Sequence, residues 1–277
     1  MKKRNRRIVP VTAAALVLLC WFGNRTVGVH EYELRSSRIP AAFDGYRIAL
    51  LTDLHGQSLG PDNARLLRQV KKAAPDIIAL GGDIVDERTD LSMLRPLLES
   101  LTAIAPVYYV PGNHEWKCDK PRQIMEIFEE CGVTRFISDF TALEKDGAQI
   151  VLAGKDDPNS LEQRLTFQKL VKNIRKEYPE EYVLMLYHRN DQLDSLAELG
   201  VDAVLSGHAH GGIIRLPVLG PLFGTHYNWF PEDVQGLVER GGAAMLVSRG
   251  LGPSHRLPIR IFNRPEIPVA VLRCGEE

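Results

Sequence analysis

Short apolar runs recur along the first half of the chain, separated by longer stretches whose apolar residues return every three or four positions. The runs 46–51, Ile77–Leu80 and 107–110 are almost continuously apolar, which predicts strands buried on both faces. Between the first two, 62–74 carries Leu66, Leu67 and Val70 on one helical face. That helix opens at Pro61 and Asp62 and is closed by Pro75. The stretch 92–104 aligns Met93, Leu94, Leu97, Leu98 and Leu101 in the same way, and a third helix is predicted over 121–131. The order βαβαβ predicts a parallel sheet covered on its faces.

The second half is less regular. Strands are predicted over 149–153, 182–187, 201–205, 243–247, 258–262 and 268–272, with a polar helix over 160–176. The stretch 216–230, rich in Gly, Pro and aromatics, reads as a long loop, and 24–40 as an extended entry with alternation at Val27, Val29 and Tyr32. No internal repeat, low-complexity tract or interdomain linker interrupts the pattern. The expected organisation is an N-terminal segment, 1–24, followed by one catalytic domain, 25–277.

Composition changes this picture at one place. The chain is 44% hydrophobic and 25% charged, ordinary for a protein with a real core, and its net charge of -1 gives no global pull towards nucleic acid or anionic lipid. Lys2, Lys3, Arg4, Arg6 and Arg7 nevertheless form a cationic block before an uncharged apolar run, 8–22. This is the pattern of an export signal or signal anchor. Leu19-Cys20-Trp21-Phe22 is too bulky for a cleavage site, so an uncleaved anchor is expected, with the basic flank inside and the remainder extracytoplasmic. The alternative is secretion after cleavage. Pro10 argues against a twin-arginine signal at Arg6-Arg7, and Leu19 against lipidation at Cys20. Cys20, Cys118, Cys131 and Cys274 form no C-x-x-C pair, so they read as buried free thiols.

Polar clusters stand just after the apolar runs: Asp53-Leu54-His55, Gly81-Gly82-Asp83, Gly112-Asn113-His114-Glu115, His188, and Gly207-His208-Ala209-His210. Asp53, Asp83 and Asn113 are spaced by 30 residues, about one βα unit. In sheets of this kind ligands gather beyond the carboxyl ends of the strands, so these loops can converge. Carboxylates and imidazoles suit Mn, Fe or Zn, and the absence of Cys argues against a structural zinc site. Asp53 and His55, two apart, are expected to share a face of an extended turn.

These blocks resemble the signatures of the calcineurin-like metallophosphoesterase superfamily, over roughly 46–213 and in the family's order. The stretches 207–212 and 248–267, with R-G-L-G and F-N-R-P-E-I, are similar to a bacterial membrane-anchored phosphodiesterase subgroup. The resemblance implies a four-layer α/β/β/α sandwich of two mixed β-sheets flanked by helices. It implies one divalent ion on Asp53, His55 and His210, a second on Asn113, His188 and His208, and Asp83 bridging them. Two such ions about 4 Å apart generate a hydroxide that attacks phosphorus in line. His114 is implied as a catalytic group that faces the substrate, with Asp83 and Asn113 completing the catalytic set. Two departures are visible: Arg189-Asn190-Asp191 follows His188 where the family often has Pro two positions on, and Ala209 replaces a common Thr. Neither removes a ligand.

The expected activity is hydrolysis of a phosphodiester or pyrophosphate. The anchor suggests a lipid-linked or envelope substrate, and the resemblance, one member of the wider group splitting such a pyrophosphate, makes UDP-2,3-diacylglucosamine a candidate. A phosphomonoesterase or protein phosphatase is the alternative, and a non-catalytic scaffold of the same fold is disfavoured because every ligand position is filled. No basic stripe with interleaved aromatics points to nucleic acid. His30, His226 and His255 read as structural and Glu115 as turn-stabilising. Asp86 is a candidate partner for a ligand His, Arg249 and His255 are candidate phosphate contacts, and Phe223, Tyr227, Trp229 and Phe230 a candidate lid.

Overall fold

The computed structural model describes residue 24 and residues 26–162, 165–225, 227–254 and 260–275. The basic block, the apolar run 8–22, Cys20, His226, His255 and the first two residues of the strand expected at 258–262 lie outside the described residues. Among the described residues no helix is long and apolar enough to cross a membrane.

The first half runs β1 (Gly28–Ser36), β2 (Arg47–Leu51), α1 (Ala64–Ala73), β3 (Ile77–Leu80), α2 (Leu94–Thr102), β4 (Val107–Tyr109), α3 (Pro121–Glu130) and β5 (Thr134–Arg135). The second runs β6 (Ser138–Lys145), β7 (Ala148–Lys155), α4 (Phe167–Glu177), β8 (Val183–Tyr187), α5 (Leu193–Glu198), β9 (Ala203–Ser206), β10 (Ile214–Leu216), β11 (Gly220–Phe223), β12 (Gly236–Arg240), β13 (Ala243–Val247) and β14 (Glu266–Cys274). Two six-stranded sheets result, ordered β1-β14-β2-β3-β4-β5 and β12-β13-β9-β8-β7-β6. Strands β2 to β5 are parallel, as are β13, β9, β8 and β7, while β14 against β2, β12 against β13 and β6 against β7 make each sheet mixed.

Side-chain alternation along each strand assigns the faces. Ala49, Leu51, Ile78 and Leu80 pack outward against Leu66 and Val70 of α1, Leu94 and Leu98 of α2, and Ile124 and Phe128 of α3. Their neighbours Ile48, Leu50, Ile77 and Ala79 turn inward and meet Ile150, Leu152, Leu184, Leu186 and Leu205 of the second sheet. Val151, Val183 and Met185 face the other way, onto Leu170 and Ile174 of α4 and Leu196 of α5. The central strands are therefore buried on both sides, which is why their sequences are continuously apolar. The architecture is the expected four-layer α/β/β/α sandwich.

Several local expectations are corrected. The helix expected over 160–176 begins only at Phe167, with Thr166 Oγ1 accepting from the Lys169 amide at 3.3 Å. Upstream, Asn159 N donates to Asp157 Oδ1 at 2.8 Å and Glu162 N to Ser160 Oγ at 3.1 Å, local side-chain bonds that compete with helix formation. The loop expected at 216–230 contains most of the β10–β11 hairpin. In place of a strand at 258–262 the described residues hold one isolated bridge, Ile214 to Ile261. Cys118 and Cys131 are free but half-buried, and Cys274 is exposed, so burial does not describe these thiols.

Phe128 stacks on Tyr109 with ring centroids 3.8 Å apart, both fully buried, and Tyr109 ends the strand that leads into Asn113. Phe128→Ala should lower the unfolding free energy by about 3–5 kcal/mol in a urea titration. A loss under about 1 kcal/mol would show that this helix–sheet contact is not a packed core.

Candidate metal centre

Every predicted site residue sits just past the carboxyl end of a strand: Asp53 and His55 after β2, Asp83 after β3, Asn113 and His114 after β4, His188 after β8, His208 and His210 after β9. The β2–β3 ladder continues beyond the strands, with Asp53 N donating to Gly82 O at 2.9 Å and His55 N to Asp83 O at 3.0 Å. Asp53, His55, Asp83, His208 and His210 all have positive φ, between 49° and 68°. This replaces the extended turn expected for Asp53 and His55. Left-handed residues, not strand alternation, aim both side chains inward, and such strain clusters at functional sites. Two glycines permit the approach. A Cβ on Gly82, at φ 89°, would lie 2.5 Å from Gly112 N, and one on Gly207 would lie 2.4 Å from Asp53 Oδ2.

Six of the seven predicted ligands fall into two groups, and Asn113 lines the same cleft as Asp83, His208 and His210. Asp53, His55 and His210 form one group and Asp83, His188 and His208 another, the ligand atoms of each lying within 4.8 Å of one another. His55 Nε2 and His210 Nε2 are 3.2 Å apart, as are His188 Nε2 and His208 Nδ1. Asp83 Oδ2 stands 3.1 Å from His188 Nε2 and 3.9 Å from His55 Nε2, between the two groups. His114 also falls within a group with His55 and Asp83.

The donor set fits cations. His188 Nδ1 lies 2.7 Å from Gly81 O, a contact that only an N–H can make favourably, so Nε2 is the nitrogen turned to the Asp83 carboxylate. A positive charge belongs between the two, supplied by a proton on the ring or by a cation that takes its place. Asn113 Oδ1 is buried with no hydrogen-bond partner, an acceptor awaiting one. Burial works to raise the Asp83 carboxyl, but His188 and His55 hold it well below the usual range, so it is ionised. Burial likewise opposes protonation of His188, yet Asp83 overrides it and pushes the ring up to about 10. Burial pushes His208 down to about 3 and His210 to about 4, leaving both as neutral imidazoles, the form that binds metal.

A second tier of side chains holds these groups. Glu115 is fully buried and accepts from the backbone N–H of Asp83 at 2.9 Å, Ile84 at 2.6 Å and Gly112 at 2.8 Å, tying two ligand loops together. Its expected turn-stabilising role understated this clamp. Asp86 Oδ2 stands 3.5 Å from His55 Nδ1, at the outer limit of a hydrogen bond. Glu87 Oε2 lies 2.8 Å from His114 Nδ1, and Asn263 Nδ2 donates to His210 O at 2.7 Å and Gly212 O at 2.6 Å. Glu87 is marked in the sequence only by proximity to a motif, and Asn263 lies inside the F-N-R-P-E-I stretch without a role having been read for it. Arg249 pairs with Glu266 rather than facing the cleft, and His30 contacts the same Glu266 at 3.0 Å. The cleft over the centre holds about 350 Å³ and is lined also by Lys117, Asn159, Arg189, Thr225 and Ser254.

The model of the calcineurin-like phosphoesterase family matches residues 46–212, which contain all seven predicted ligands. The chain belongs to the calcineurin-like phosphoesterase family. It is a metal-dependent phosphoric ester hydrolase. The metallophosphoesterase YkuE of Bacillus subtilis is 28% identical over 251 residues, covering 88% of this chain and 84% of that one. The phosphodiesterase YaeI of Escherichia coli is 28% identical over 295 residues, covering 97% and 98%. Among solved structures, the NAD nucleotidase NadN of Haemophilus influenzae shares the fold with a TM-score of 0.50 at 14% identity. That match covers 74% of this chain and 45% of that one.

Two outcomes follow for this phosphoesterase. Glu115→Gln places an NH₂ against backbone donors and should cost about 2–4 kcal/mol of stability by thermal or urea unfolding; a change under about 0.5 kcal/mol would remove Glu115 as the clamp. Burial raises the Asp156 carboxyl from 3.8 to about 6. The folded chain then binds that proton more tightly than the unfolded chain. The group's contribution is full below pH 3.8 and is lost as pH rises through about 6. Asp156→Asn should therefore gain melting temperature relative to the parent between pH 4 and pH 7, and a constant difference would contradict it.

Proposed function

We propose that this phosphoesterase hydrolyses phosphodiester or pyrophosphate bonds at a two-metal centre, with Mn, Fe or Zn as the ions. The observation that carries the reading is Asp83 Oδ2 lying between the His188 and His55 nitrogens, where one carboxylate can serve two cations. Asp53, His55 and His210 would hold one ion, Asn113, His188 and His208 the other. Bound there, the pair would lower the pKa of water and neutralise phosphoryl oxygens.

The chain's own groups do the rest. Buried carboxylates and imidazoles set at strand ends fix the position of the phosphoryl group without reorganisation. His114 faces the cleft, and Glu87 holds its Nδ1. Burial keeps the ring below its usual pKa, while the Glu87 carboxylate and an anionic substrate favour the imidazolium that can protonate a leaving oxygen. A positioned acid matters most for a poor leaving group such as an alkoxide, and the diester preference draws on the relative YaeI, which is named a phosphodiesterase.

A lipid-linked or envelope substrate, such as UDP-2,3-diacylglucosamine, accords with two features. Val218, Leu219, Tyr227, Trp229 and Phe230 are exposed on the β10–β11 hairpin and the loop after it, Trp229 at 66% and Phe230 at 69%. Thr225 of the same loop lines the cleft. Asn24, just after the apolar run, donates to Arg260 O at 2.8 Å, and Ile261 bridges to Ile214 of the hairpin. Asn24 thus meets the domain beside the hairpin. We place the domain outside the cytoplasm on this anchor, secreted if the anchor is cleaved.

A chromogenic phosphodiester should be turned over in the presence of Mn²⁺ and faster than its monoester. Asp83→Asn should lower that rate by more than about a hundredfold, since loss of even an outer partner of a metal ligand costs 10–100-fold. Preference for the monoester would select the phosphomonoesterase reading instead. Removing residues 1–24 should spare turnover of soluble esters and weaken turnover of vesicle-embedded ones; equal turnover of both would contradict the membrane substrate.

A further inference from the structure

One cation beside the centre is held in a way that the reaction at a single phosphorus does not require. Arg189 follows His188 directly and lines the cleft. Its Nε donates to Asp157 Oδ2 at 2.6 Å and its Nη2 to Asp157 Oδ1 at 3.0 Å. Asp157 is fully buried, while the Arg189 side chain is 26% exposed. This fork leaves the Nη1 edge of the guanidinium without a hydrogen-bond partner among the described residues. A buried ion pair adds little net stability, so fixing an arginine in this manner is better explained by what its remaining edge can bind.

The preceding residue braces the neighbour of another lining cation. Asp156 Oδ1 accepts from Trp116 Nε1 at 2.7 Å, and Trp116 is followed by Lys117, the other cation of the cleft. Two consecutive buried carboxylates just after β7 therefore bind Arg189 and the neighbour of Lys117. Every described side chain lining the cleft is polar or charged, which suits phosphate rather than an apolar alcohol beside the reacting phosphorus.

We propose that Arg189, braced by Asp157, seats a second phosphoryl group, so that the preferred substrate is a diester of diphosphate. This rests on the phosphodiesterase reading and narrows it. Water adds its oxygen to the phosphorus at the centre, the bond from that phosphorus to the bridging oxygen breaks, and the water's protons are shared between the two phosphate monoesters formed or released to solvent. The leaving phosphate gains one negative charge as the bond breaks. The guanidinium meets that charge directly, and a bidentate arginine–phosphate contact is the geometry a fixed fork provides. Lys117, a second cation of the cleft lining, complements it.

The test compares bis(para-nitrophenyl) phosphate with bis(para-nitrophenyl) diphosphate, using the full chain in detergent with Mn²⁺ and following products by phosphorus NMR. The parent should favour the diphosphate, and Arg189→Gln should lower the ratio of the two kcat/KM values by about 10–100-fold, mainly through KM of the diphosphate. Calorimetry with methylenediphosphonate and with inorganic phosphate should show the same selective loss without turnover. Arg189→Gln removes the charge that faces the buried Asp157 carboxylate, so the Arg189→Gln/Asp157→Asn double variant, with both charges removed, should reproduce the selective loss in a folded chain. An unchanged ratio, or equal loss on both substrates in the folded double variant, would make Arg189 a structural residue and overturn the proposal. No turnover of either substrate by the parent would overturn the phosphodiesterase reading, and the subsite with it.

Discussion

The structure depends on holding buried carboxylates and imidazoles together at one place, out of water. Asp53 and Asp83 are buried carboxylates, and His55, His188, His208 and His210 bring their ring nitrogens within 3.2 Å of one another in two pairs. Attraction between Asp83 and the His188 and His55 rings favours part of this cluster but does not fix its geometry. It is imposed by the backbone: strand-end ladders that run past the sheet, left-handed residues at five of the seven predicted ligands, and the Glu115 carboxylate gripping the loops after β3 and β4. The local strain and desolvation are the counterpart of pre-organisation, because the ligands need not move to receive a charge.

The two sheets divide the task. Asp53, His55, Asp83 and Asn113 follow strands of one sheet, and His188, His208 and His210 follow strands of the other. The inward layer of Ile48, Leu50, Ala79, Leu152, Leu184, Leu186 and Leu205 therefore sets the gap between the two halves of the ligand set. Sheets packed face to face keep a spacing of about 10 Å, fixed by interdigitated side chains. Core packing and site geometry are in this sense the same property, read at the middle of the sandwich and at its rim.

What was legible in the sequence follows from the same physics. Strands buried on both faces announce themselves as apolar runs, so β2, β3, β4 and β13 were visible to within about a residue, and their polar ends marked the site. β6 and β12, at the edges of the second sheet, are only half-buried and carry mixed patterns, and α5 is six residues long, too short for a clear period. The hairpin at 214–223 is hidden by Gly and Pro in its strands and turn. Partnership is harder still to read than structure. Glu115, Glu87, Asp157 and Asn263 act through contacts across 3 to 53 residues of sequence, and nothing in their own neighbourhood states whom they will meet.

The central claim is that one carboxylate, Asp83, serves two ions. Low-temperature electron paramagnetic resonance on the Mn²⁺-loaded chain tests it most directly. Two ions sharing Asp83 should give the multiline spectrum of an exchange-coupled pair, with calorimetry showing two sites per chain. A spectrum of isolated Mn²⁺ at full loading, or a single site, would contradict the account.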